Sequence, residues 1–445
     1  MSADILFQPL QFRNLTVKNR VFRSNISGQF DNYDGSGGPT RLNWEEKFAR
    51  GGVGAIVSSF VPVAVRGRIL PHYAMIHSDA SIPFWCEVGK RVHAYDCRYI
   101  LQLSHSGRQQ DIGGVENMFH QPLSSTSQVE AFNGFTPRAM TREEIHATVQ
   151  AFAQGARRAR EAGLDGVELH GANGYLITQF LSSSINDRQD EYGGPVENRA
   201  RFVREIVRAI RREVGRDFHL QMKINGLDYG NWVIPSERRG NTIEETVKIC
   251  QWLEQDGVDA FHVSAGNTFP HPLNPPGTFP IEWAARTYDV MASGGVYAFS
   301  RYLLMGYRLL RPLFNFFWNR RQAKRIEGIN VDEAREVKRH VAVPVICTGG
   351  FQTASYARQV IGDGFCDAVS IARSLIANND LVKIWESGQD RPDRPCTYCN
   401  KCLVNVLKNP LGCYEVSRFD GDHDAMMAEL MSVYHPTPYE TALGQ

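Results

Sequence analysis

The chain has 445 residues, 42% of them apolar and 22% charged, with a formal net charge of +1. That length suits one large catalytic domain with a small appendage, since an α/β barrel commonly takes roughly 200 to 400 residues as one unit. The near-zero charge gives no global field for nucleic acid, and no run of about 18 uncharged apolar residues offers a spanning helix.

The N-terminal stretch lacks an apolar run of signal-peptide length, which points to a cytoplasmic location. The cysteines are therefore expected as thiols or metal ligands rather than disulfides. Cys86, Cys97, Cys250, Cys347 and Cys366 are scattered and expected to be buried as small apolar side chains.

Read in order, short apolar strands are expected at Arg20–Asn25, Ala55–Ser59 and Tyr99–Leu103. Thr141 and Glu144 have capping-box spacing, and Ile145, Val149, Phe152, Ala156 and Ala159 follow at helical period. A glycine turn and a fourth strand ending at His170 come next. A fifth strand covers His219–Ile224. Thr242 and Glu245 repeat the capping pattern before a helix, a turn at Gly257 and a sixth strand ending at Ser264. A seventh strand lies at Val343–Cys347. The turn at Gly364 leads to an eighth ending at Ile371. Each of these glycines can supply the left-handed residue that ends a helix. Eight strands alternating with helices predict a closed parallel (β/α)8 TIM barrel over residues 1–395.

Two regions break the rhythm. Residues 285–330 are too long for a simple barrel loop and form a predicted insertion late in the barrel. Within it, 299–325 mixes aromatics such as Phe314, Phe316, Phe317 and Trp318 with six arginines. Pro312 would start or break a helix there. The segment reads as a collar over the barrel mouth, as a packed helix or homo-oligomer contact, or as an interfacial helix touching anionic lipid. The second region is a short cysteine-rich tail, 396–445, in which Cys396, Cys399, Cys402 and Cys413 are spaced C-x2-C-x2-C-x10-C. That is close to the spacing of 4Fe–4S ligands, with zinc or a vestigial thiol group as alternatives.

Reactive groups of such a barrel sit at the C-terminal strand ends. His170 and Asn173 lie three apart on a glycine-flanked turn, with Tyr175 two further on. Two donors and a weak acid suit polarisation of a carbonyl and protonation of a carbanion. Thr348-Gly349-Gly350 after strand seven and Ala372-Arg373 after strand eight suit phosphate binding, through close backbone N–H groups and a forked cation.

The segment from Gly166 to Phe202, together with residues 6–22 and Leu101–Arg108, resembles the old yellow enzymes and the related NADH:flavin oxidoreductases. The likeness extends to about Trp385. It implies FMN as cofactor, NAD(P)H as reductant and a small-molecule acceptor such as an electron-poor alkene. It assigns His170 and Asn173 to the acceptor's oxygen and Tyr175 to proton donation. Ser27, Ser58, Gln102, Lys223, Gly349, Gly350, Ala372 and Arg373 are implied around FMN. Lys223 stands where the family often has arginine, and Ser24-Asn25-Ile26 where it usually has Ala-Pro-Met. The cysteine tail resembles the cluster segment of dienoyl-CoA reductase and trimethylamine dehydrogenase relatives. That keeps open a dehydrogenase or demethylase exporting electrons to a separate partner. A non-redox phosphate-ligand barrel or membrane-associated binding protein is the more distant alternative.

Overall fold

A computed structural model describes residues 4–109, 120–130, 133–229, 240–289 and 295–434. Its strands are β1 (Val21–Arg23), β2 (Ala55–Val57), β3 (Arg98–Ser104), β4 (Gly166–Gly171), β5 (His219–Asn225), β6 (Ala260–Ser264), β7 (Val345–Thr348) and β8 (Ala368–Ile371). Each pairs in parallel with its sequence neighbours, and β8 pairs with β1, so the sheet closes into the expected barrel. Val61–Pro62 continues the line of β2 after a break and pairs with the end of β3.

The helices that cover the barrel are α1 (Pro39–Arg50), α2 (Ile82–His93), α3 (Arg142–Glu161), α4 (Arg201–Val214), α5 (Ile243–Asp256), α6 (Val331–Lys338), α7 (Ala354–Gly362) and α8 (Leu381–Glu386). Both capping boxes form: Thr141 with Glu144 starts α3, and Thr242 with Glu245 starts α5. The three predicted turn glycines, Gly163, Gly257 and Gly364, have φ of 72°, 115° and 72°.

Side chains inside the barrel are stacked in layers, because alternate residues of each strand face the axis. The lowest layer is apolar. Phe22, Ala55, Ile100, Ala260, Ile346 and Ala368 form one buried cluster with Leu10, Phe12, Leu15 and Val17. The last four come from an antiparallel hairpin, Leu10–Gln11 with Thr16–Val17, that plugs the barrel floor. The sequence reading missed this hairpin because its strands are only two residues long. Two positions further along β3, β6 and β7 the layer turns polar, with Gln102, His262 and Thr348, and Glu168 of β4 and Gln221 of β5 join it.

The insertion falls where expected, between β6 and α6. It contains helices Ile281–Thr287, Val296–Gly306 and Arg311–Arg320, and Pro312 stands in the first turn of the last. The tail leaves α8 and returns across the barrel mouth. Gln29 donates to the carbonyl of Val406 at 2.9 Å, and Thr287 to that of Val404 at 2.7 Å. Four of the five scattered cysteines are buried; Cys86 is exposed, because it lies on the solvent side of α2.

Phe12 is the centre of the plug, 4.8 Å from the His219 ring and 6.2 Å from Phe22. Phe12→Ala is therefore expected to cost about 3–5 kcal/mol. Chemical denaturation followed by circular dichroism measures it, and a loss under about 1 kcal/mol would mean that the hairpin is not a structural plug.

Candidate active site

The C-terminal strand ends surround a cavity of about 250 Å³. β1 delivers Ser24, Asn25 and Ser27 to its wall, β4 delivers His170 and, through the following turn, Asn173 and Tyr175. β5 delivers Lys223, β7 Thr348, and the residues after β8 deliver Ala372 and Arg373.

Below it lies the polar layer, organised by Glu168. This fully buried carboxylate accepts from Gln102 Nε2 at 2.7 Å, from Gln221 Nε2 and from His262 Nδ1 at 2.8 Å. Burial opposes its charge, but His262, Lys223 and Gln221 outweigh burial and hold the carboxyl down to about 2. Burial and the Lys223 cation lower His262 from its ordinary value, so it is a neutral donor. Its Nε2 lies 2.5 Å from Thr348 Oγ1 and accepts from that hydroxyl.

Lys223 stands one layer higher, opposite His170 in the β4–β5 register and opposite His262 in the β5–β6 register. Its Nζ donates to Ser24 Oγ at 3.2 Å and to Asn25 Oδ1. Burial brings it down to about 8, against the pull of Glu168. The two departures from the family pattern, lysine at 223 and Ser-Asn at 24–25, are therefore one hydrogen-bonded unit. The partnership of Asn25 with Lys223 has no local signal in the sequence.

His170 is 2% exposed, and its Nδ1 is buried without a hydrogen-bond partner. Burial, then the nearby Lys223 charge, lower it to about 3. Its ring meets Tyr175 edge-on, with centroids 4.8 Å apart, and Phe60 packs on Tyr175 at 4.9 Å. Burial raises the Tyr175 phenol well above its ordinary 10, so it stays protonated. Asn173 takes φ of 60°, a left-handed conformation that asparagine tolerates. Gln109 Nε2 donates to the Asn173 and Gly174 carbonyls at 3.2 and 3.1 Å and clamps this turn. Asn173 Oδ1 accepts from Asn274 at 3.1 Å, which leaves its amide NH2 for a ligand.

Ser27 lies on the cavity wall and accepts from the Phe60 N–H at 3.0 Å. Ser58 does not reach the wall. It is buried, donates to the Ser59 carbonyl at 2.8 Å and accepts the Gln102 N–H at 2.8 Å, so its role is to bridge β2 and β3. The Gln102 side chain is turned down toward Glu168, with its Oε1 buried and unpartnered. Gly349 and Gly350 also stand off the wall. The Gly350 carbonyl accepts from Tyr398 of the tail at 2.5 Å, and Gly350 has φ of 68°. Arg373 reaches the wall but bonds to the Pro276 carbonyl and Asn400 Oδ1, each at 2.6 Å.

The tail contributes Cys402, Leu403, Val406, Leu407 and Leu411 to the cavity, which the sequence reading did not foresee. Cys396, Cys399, Cys402 and Cys413 are free thiols close enough to influence one another electrostatically. Among the described residues no group of three or more such side chains is arranged to hold a metal ion.

Residues 5–271 match the model of the NADH:flavin oxidoreductase / NADH oxidase family. The chain belongs to this family. It is 31% identical over 424 residues to an NADH oxidase of Thermoanaerobacter brockii, covering 92% of this chain and 57% of that one. It is 34% identical over 294 residues to an NADPH dehydrogenase of Halalkalibacterium halodurans, covering 65% of this chain and 82% of that one. The chain thus spans little more than half of the first relative's length. A solved structure titled morphinone reductase in complex with tetrahydroNAD shares the fold, at TM-score 0.65 and 24% identity, over 94% of this chain and 97% of the other. An old yellow enzyme homologue from Zymomonas mobilis does so at TM-score 0.65 and 21% identity, over 87% and 94%.

Family membership implies a flavin, and the site suits one. The cavity offers an unpartnered His170 nitrogen, the Lys223 cation and apolar walls from Phe60 and Tyr175. Gln102 has an open carbonyl oxygen beneath.

A folded value near 3 for His170, against 6.5 when unfolded, means that the ring stays neutral through pH 5. In that window the unfolded chain binds the extra proton, so the His170 contribution to stability is full above about pH 6.5 and lost as pH falls towards 3. Nitrogen chemical shifts of the His170 ring, recorded between pH 5 and 8, should not titrate. A midpoint near 6.5 would contradict the burial argument.

Proposed function

We propose that the protein uses NAD(P)H to reduce an electron-poor alkene, of the enone type, through bound FMN. The observation that carries this reading is a buried, neutral His170 with a free ring nitrogen, set edge-on to a protonated Tyr175 in the cavity. The names of the relatives, NADH oxidase and NADPH dehydrogenase, support the reductant.

Bound beside His170, Asn173 and Tyr175, FMN would supply the hydride chemistry that links NAD(P)H to the acceptor's β-carbon. The protein's part is electrostatic and positional. His170 and the Asn173 amide would donate to the acceptor's carbonyl or nitro oxygen, and so draw electrons away from the alkene. A neutral imidazole can donate without bringing a second positive charge beside Lys223. Tyr175 would place a proton on the α-carbon. With hydride at one carbon and proton at the next, the alkene gains two hydrogens and the books balance. Ser27, Lys223, Ala372 and Arg373 are proposed to border the cofactor from the cavity wall. Gln102 would do so from below, and Gly349 and Gly350 through backbone N–H groups. For Arg373 this requires it to exchange Asn400 for phosphate. Ser58 would act only indirectly, by fixing the Gln102 backbone.

Two outcomes test this. In the double variant His170→Ala/Asn173→Ala, alkene reduction should fall by at least about a hundredfold, as one lost oriented donor typically costs ~3 kcal/mol. Stopped-flow reoxidation by an enone measures it, and an unchanged rate would sink the assignment. In Tyr175→Phe, reduction by NAD(P)H should stay within about threefold, while reoxidation by the enone slows by about 10²-fold or more. Equal slowing of both half-reactions would reduce Tyr175 to a packing residue.

A further inference from the structure

The insertion exposes an apolar surface that the catalytic reading leaves unused. Helix Val296–Gly306 turns Ala298, Tyr302 and Met305 inward. Helix Arg311–Arg320 turns Phe314 and Trp318 inward, where the Trp318 ring lies 4.8 Å from Phe279, tilted by 41°, and donates to the Gly277 carbonyl at 2.9 Å. Those inner residues belong to the same apolar cluster as Tyr175. The opposite faces are apolar as well. Leu303 and Leu304 are each 50% exposed, Leu309 84%, Leu313 54% and Phe316 56%. Large side chains this exposed, gathered on the two helices and the turn Arg308–Leu310 that joins them, mark an interaction surface.

Charge narrows the occupant. Between residues 296 and 325 there are seven Lys and Arg side chains and no Asp or Glu, in a chain whose totals are 49 and 48. Arg308, Arg320 and Lys324 are exposed at the edge of the apolar face. A second copy of the chain in a two-fold contact would set this face against itself and oppose cation to cation without a carboxylate between them. A surface offering hydrocarbon behind a layer of anions satisfies both halves of the patch at once. No helix among the described residues is long and apolar enough to cross a membrane, so the contact would lie in the plane of the surface.

We propose that the two insertion helices dock the protein on an anionic lipid bilayer, with Leu303, Leu309, Leu313 and Phe316 in the headgroup–acyl boundary and Arg308 and Lys324 against lipid phosphates. Because the inner faces of the same helices pack with Tyr175, docking holds the cavity wall next to the membrane. The proposal does not depend on which acceptor is reduced.

The test is sedimentation of the full chain with vesicles of phosphatidylglycerol and phosphatidylcholine in equal parts, beside vesicles of phosphatidylcholine alone. The protein should pellet with the anionic vesicles at about 0.02 M salt, be released towards about 0.5 M, and stay in the supernatant with the neutral ones. Arg308→Gln/Lys324→Gln should weaken the partition by about thirtyfold, the attraction of two cations. Leu309→Ser/Phe316→Ser should weaken it by about tenfold or more with the melting temperature unchanged, since these side chains are exposed. The proposal is overturned if the chain stays in the supernatant at low salt, binds both vesicle types equally, or is unaffected by both variants. It is also overturned if the variants instead convert a dimer into a monomer, which would give the face to a second copy.

Discussion

One buried negative charge organises the interior of this barrel. Glu168 has no exposure to water, and a carboxylate so placed costs several kcal/mol unless the chain surrounds it with donors and a counter-charge. Gln102 from β3, Gln221 from β5 and His262 from β6 meet that demand, and Thr348 from β7 locks the far side of the His262 ring. Lys223 supplies the positive charge and carries the network up to Ser24 and Asn25 after β1. Six of the eight strands are thereby tied through one group, directly under the cavity.

The properties of His170 and Tyr175 follow from that arrangement. With Lys223 as the cation above Glu168, another positive charge nearby is disfavoured. His170, buried and next to Lys223 in register, is held neutral. The apolar ring of Phe60 and the closing tail shield Tyr175, so its phenol keeps its proton. The floor of the site thus holds a compensated charge, while His170 and Tyr175 on its wall are neutral and His170 Nδ1 has no partner. Groups left unpaired in a low-dielectric cavity bind an incoming oxygen more strongly than they would in water.

The local rules were legible in the sequence. Capping boxes at Thr141 and Thr242 and turn glycines at 163, 257 and 364 are set by neighbours within a few residues, and each forms as read. His170, Asn173 and Tyr175 come together because one strand end and one turn carry all three. Distant partnerships were not legible. The contact between Lys223 and Asn25 joins residues 198 apart, and neither side chain announces the other. Nor did the sequence show that Ser58 Oγ accepts the Gln102 N–H across β2 and β3, or that the Gln102 amide donates to Glu168. The tail looked separate because its cysteines drew the eye. Its leucines, spaced to face the barrel mouth, were the signal that it packs there.

The central proposal is that NAD(P)H reduces an electron-poor alkene through FMN bound in this cavity. The purified protein, mixed with NADPH or NADH in the absence of oxygen, should lose its yellow absorbance. Added cyclohexenone or a nitroalkene should then restore the colour, with one acceptor consumed per flavin. If the nicotinamide leaves the absorbance untouched, or if bleached protein is not reoxidised by any such alkene, this account of the site is contradicted.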